Sequence, residues 1–114
     1  MEAAPFLELA LARQTGMSLE SVKADIKRVK FFLWVIPGKA AIVTEIQQYP
    51  LEKICMIVLC GGNGMEEWLE SADATLCRHA THFGCTAVMI VGRSGWSRVL
   101  SDYQIQDVIM RKAL

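Results

Sequence analysis

The sequence has no excess of either charge, no long apolar run and few residues that break chain direction. Lysine plus arginine number 12 and aspartate plus glutamate number 12, so the formal net charge is zero. A nucleic-acid surface normally carries a basic surplus, and no nucleic-acid partner is expected. The longest uninterrupted apolar run, ICMIVLC, is strand-sized and far below the ~18 residues of a membrane span, so no membrane partner is expected either. The N-terminal MEAAPFLELA is acidic where a signal peptide would be basic, and the chain is not expected to be secreted by a signal of its own. No linker, repeat or low-complexity stretch divides the sequence, so residues 1–114 read as one domain. With 53% hydrophobic residues, that domain can fill a substantial core.

The four cysteines, Cys55, Cys60, Cys77 and Cys85, contain no CxxC pair. Two of them fall in an apolar strand pattern, where a free thiol behaves as a small hydrophobe. This usage fits a reducing compartment. Cys77, His79, His82 and Cys85 form a C-x-H-x-x-H-x-x-C string that has the look of a metal site. Helical ligands must share one face at i, i+3 or i+4. His79 and His82 do, but Cys77 points away and Cys85 lies beyond Gly84, so no metal site is expected.

What the chain does have is a run of alternating elements. Apolar residues repeat at helical spacing from Phe6 to Gln14. Ser18 can cap a second helix, Leu19 to Val29. KFFLWVI and AAIVTEI flank Pro37-Gly38 and read as a hairpin over residues 30–46. KICMIVLC is a third strand, followed by the glycine loop Gly61-Gly62-Asn63-Gly64. The next helix is the best defined. Met65, Trp68, Leu69, Ala72, Leu76, Ala80 and Phe83 share one face, and Gly84 ends it. TAVMIVG follows at once, which favours a parallel crossover. Ser94 can cap a short helix, and Tyr103 to Arg111 reads as a last strand.

Strand, glycine loop and helix together put backbone N–H groups at a helix N-terminus, a natural anion site. This order of elements resembles the GNAT acetyltransferase fold. The stretch HFGCTAVMIVGRSGWSRVLSDYQIQ is similar to small GNAT-like proteins encoded by tailed bacteriophages. The resemblance implies an α/β domain with a mixed sheet of about five strands. Two N-terminal helices, one central helix and one short C-terminal helix complete it.

The resemblance also implies a place for acetyl-CoA, with its pyrophosphate on Gly61, Gly62, Asn63 and Gly64. The family's Q/R donor position there falls on Leu59, which has no donor, and Glu66 and Glu67 follow the loop. The third strand has no acid after Glu52 to act as a base. The position of the family's catalytic tyrosine falls on Leu100, with Tyr103 out of register. About eleven residues remain where the family closes its sheet with two strands. No catalytic residue is therefore assigned and no cofactor is expected. The resemblance then implies a non-catalytic virion or accessory binding component, in a bacterial host's cytoplasm or in a virion. An N-acetyltransferase with a degenerate loop and an inhibitor that binds a host protein are the alternatives. Arg93 and Arg98 are candidate contacts to a protein partner, unless they pair with Asp102 or Asp107. Val108 and Met110 are candidates for self-association through the last strand, whose edge would be open.

Overall fold

In a computed structural model, residues 2–12, 16–91, 100, 102–106 and 109–114 are described. The elements are α1 (Ala4–Leu11), α2 (Leu19–Lys27), β1 (Phe32–Ile36), β2 (Ala40–Gln48), β3 (Lys53–Gly62), α3 (Met65–His82) and β4 (Ala87–Ile90). The four strands form one mixed sheet in the order β1-β2-β3-β4. β1–β2 and β2–β3 are antiparallel, and β3–β4 is parallel, as the short link after α3 requires.

Local chemistry explains the boundaries. Pro5 lies in the first turn of α1, where its missing N–H costs nothing. The Ser18 side chain accepts from the Ser21 N–H, and Ser21 Oγ in turn accepts from the Ser18 N–H. α2 stops two residues short of the expected Val29. That residue is left-handed, at φ 57°, and the N–H groups of Lys30 and Phe31 both donate to the Asp25 carbonyl. β1 therefore starts at Phe32 rather than at Lys30. Gly84, at φ 77°, closes α3: its N–H donates to the Thr81 carbonyl and that of Cys85 to Ala80.

The sheet separates two cores. On one face, α1 and α2 bring Leu7 and Val22 against Phe31, Ala41, Val43 and Leu59. On the other, α3 brings Trp68 and Leu76 against Ala40, Ile42 and Ile57. Ile57 and Leu59 are two residues apart yet lie on opposite faces. A bulge is the reason. Thr44 pairs with Ile57 and Val43 with Leu59, so Val58 has no partner and the side-chain phase of β3 shifts there.

At the C-terminus the structure departs from the sequence pattern. Among the described residues from 102 to 114, none belongs to a strand, so the expected strand from Tyr103 to Arg111 is not formed. A sheet of about five strands becomes four among the described residues. The expected short helix, apart from Leu100, lies outside the described residues.

Candidate functional site

The site lies where β3 and β4 part. Their parallel pairing runs from Ile54↔Ala87 to Ile57↔Ile90 and stops. Beyond the Val58 bulge, β3 continues to Gly62 paired, among the described residues, with β2 alone. The bulge thus coincides with the split. The wedge opens beside Cys60, and Val88, paired with Cys55, lies within the closed part.

The expected glycine loop is largely strand. Gly61 and Gly62 are the last residues of β3 and pair with Ala41 and Ala40. A Cβ on Gly61 would stand 2.1 Å from the Phe6 carbonyl oxygen, so α1 can lie on β3 only because this residue is glycine. Leu59 is buried under α1 and α2, so the position where the resembled family carries a donor faces the core. The Asn63 N–H donates to the Lys39 carbonyl at 2.8 Å, and its carbonyl accepts from Trp68 Nε1 at 2.8 Å. Gly64 is left-handed and precedes α3 without a side-chain cap. The Glu67 N–H turns back to the Gly64 carbonyl. The N–H groups of Met65 and Glu66 are left without intrahelical acceptors by their place in the first turn.

Charge at this helix end comes from an unexpected direction. Lys39, in the turn between β1 and β2, pairs with the Glu67 carboxylate. Glu66 stands exposed beside it. A carboxylate about 4 Å from a phosphate opposes it by ~1 kcal/mol even in bulk water. A helix end favours an anion by about 0.3–1 kcal/mol; with Glu67 paired to Lys39, the exposed Glu66 is the carboxylate that opposes it. Lys39 and Glu67 are distant in sequence, and no motif links them.

Behind the split, a small apolar cavity runs between α3 and the sheet. Ile57, Cys60, Trp68, Leu76 and Ile90 line it, together with Leu100 and Tyr103. The remaining void is about 20 Å³, room for roughly one water molecule. Tyr103 Oη donates to Asp73 Oδ1 at 2.6 Å. Burial, and then this acceptor, push the phenol's pKa up, so it stays a neutral donor committed to α3. Burial also pushes the Cys60 thiol up to about 11 and the Cys55 thiol, with help from Cys85, up to about 11. Neither is a thiolate at neutral pH.

His79 serves packing. His79 lies 4.8 Å, ring to ring, from each of Phe32, Trp34 and Phe83. Its Nε2 is buried without a hydrogen-bond partner. Burial, and then His82, hold its pKa below the ordinary histidine value. Cys77 is exposed and turned toward Asp73. No three potential metal ligands come together among the described residues. Met110 is exposed at 89%, while Arg93, Arg98 and Val108 lie outside the described residues. No helix among the described residues is long and apolar enough to cross a membrane.

Around the loop, the Asn63 N–H is taken by the Lys39 carbonyl, Glu66 and the Lys39-paired Glu67 stand at the helix end, and the void behind the split holds about one water.

No protein-family model and no curated protein sequence matches the chain. Solved structures do. A glucosamine-6-phosphate N-acetyltransferase from Arabidopsis thaliana superposes with TM-score 0.66 at 18% identity, over 95% of this chain and 88% of that one. A Trypanosoma brucei acetyltransferase gives TM-score 0.62 at 16% identity, over 99% and 93%. A Thermus thermophilus protein gives TM-score 0.65 at 11% identity, over 99% and 90%. At these identities the likeness carries architecture alone: the chain has the α/β fold of the GNAT acetyltransferases.

Proposed function

We propose that the protein is a GNAT-fold binding module that does not transfer acetyl groups, a structural or accessory component such as the resembled phage proteins. The observation that supports this reading is the narrow cavity behind the wedge. Leu100 and Tyr103 stand among its walls with Cys60 and Ile90, and about 20 Å³ is left between them, too little for an extended thioester arm. The side chains agree with it. Leu59 is turned into the core, Tyr103 is bound to Asp73, and the two thiols of β3, Cys55 and Cys60, are held protonated by burial.

The competing reading is an N-acetyltransferase, favoured by the names of two of the superposed proteins. Titration calorimetry with acetyl-CoA at near-physiological salt separates the two. The expected result is no heat of binding below millimolar ligand. A dissociation constant in the low micromolar range would establish a working cofactor site and overturn the proposal.

A further inference from the structure

Asn63 and Gly64 follow one another between β3 and α3. An asparagine followed by glycine can modify itself. The glycine nitrogen attacks the asparagine side-chain amide, and with no Cβ beside that nitrogen nothing blocks the approach. The surroundings of the two residues decide whether a folded chain allows it.

Here they favour it. Asn63 is exposed. Its N–H donates to the Lys39 carbonyl and its carbonyl accepts from Trp68 Nε1, so its backbone is held and its side chain is the part that turns. The next N–H, that of Gly64, has no acceptor among the described residues. It sits at the N-terminal end of α3, where the helix dipole favours the negative charge that builds on the nitrogen. Two charged groups are at hand. A Cβ on Gly64 would lie 3.7 Å from Glu67 Oε1 and 3.8 Å from Lys39 Nζ. Glu67 Oε2 is the atom paired with Lys39, which leaves Oε1 to take a proton.

We propose that Asn63 is a modification site, at which the folded chain deamidates itself through a succinimide formed with Gly64. The Gly64 nitrogen bonds to Asn63 Cγ as its proton passes to Glu67. The Cγ–Nδ2 bond then breaks, the proton goes to the departing nitrogen, and ammonia leaves. Water opens the ring. Opening at Cγ gives aspartate. Opening at the main-chain carbonyl carbon gives isoaspartate, in which the chain runs through Cγ and the old carbonyl carbon is a free carboxylate. Either product adds a negative charge at a helix end that already carries Glu66 and Glu67. Isoaspartate also removes the carbonyl that accepts from Trp68 Nε1. The reaction does not depend on whether acetyl-CoA binds.

The test is peptide mapping by mass spectrometry of the full-length chain held at neutral pH, native and unfolded in guanidinium chloride, with released ammonia measured alongside. The native chain is expected to gain aspartate and isoaspartate at position 63 and to release ammonia in equal amount. The indole N–H resonance of Trp68 should move as isoaspartate accumulates. Asn63→Gln, whose longer side chain would have to close a larger ring, is expected to stop the gain. Glu67→Gln is expected to slow it in the native chain and leave it unchanged in the unfolded one. Glu67 is exposed, so this variant keeps the fold. Losing the pair with Lys39 would by itself loosen the loop and speed the reaction, so slowing is not a structural effect. A native chain that keeps Asn63 intact while the unfolded chain loses it overturns the proposal, because the fold then protects the site. So does a native rate that Glu67→Gln leaves unchanged or raises.

Discussion

Val29 occupies in α2 the position that Gly84 occupies in α3. In both helices the residue after the cap donates to a carbonyl three back, and the next N–H closes a wider ring. Both residues are left-handed, Val29 at φ 57° and Gly84 at φ 77°. Left-handed backbone costs an L residue about 1–2 kcal/mol and glycine nothing. Val29 is 65% exposed, so little packing offsets that cost. Val29→Gly should therefore raise stability by about 1 kcal/mol in urea denaturation; a loss of stability would show that its side chain packs. His79 gives the second prediction at this scale. Its protonated form is disfavoured in the folded state by burial, so the unfolded chain binds the proton more readily. Stability should be level above the ordinary histidine value of 6.5 and fall as pH drops below it. His79→Phe keeps a ring among Phe32, Trp34 and Phe83 without a titrating nitrogen. Thermal unfolding between pH 7.5 and pH 5 should drop less in that variant than in the wild type, and equal slopes would remove His79 as the cause.

Among the elements, α3 was the most legible. Its apolar face at i, i+3, i+4 spacing, its acidic first turn and Gly84 all agree on one helix, and Trp68, Leu76 and Ala80 are buried as that face requires. The parallel crossover into β4 followed from the short link. β3 was legible as a strand, but its end was not. Glycines normally mark loops; here Gly61 and Gly62 stay in the sheet because α1 and the β1–β2 turn press on them. That packing can be measured. A methyl group at position 61 would meet the Phe6 carbonyl, a backbone atom that cannot rotate away. Gly61→Ala should cost roughly 1–3 kcal/mol by overpacking and loosen α1 in hydrogen exchange. Gly16→Ala, with nothing within 4 Å, is the control and should change stability by less than about 0.5 kcal/mol. Equal effects would mean that α1 is not seated on β3 as described.

For the molecule as a whole, the sequence by itself determined the order of helices and strands from α1 to β4, the hairpin, the crossover and hence the α/β class. Those features follow from side-chain period and turn chemistry, which are local. It also carried the departures from the resembled family on which the proposed function draws, since Leu59, Glu66, Glu67 and Leu100 can be read at their positions in the chain. Only the tertiary structure decided what those positions face. The bulge at Val58 needs the register of two strands. The walls of the cavity need Leu100 and Tyr103 brought to Ile57 and Trp68. The Lys39–Glu67 pair needs a hairpin turn laid beside a helix end. The failure of the last segment to join the sheet was equally hidden. An alternating apolar pattern states that a strand can form, but backbone pairing is a contact between distant residues, and the edge that receives it can belong to another chain.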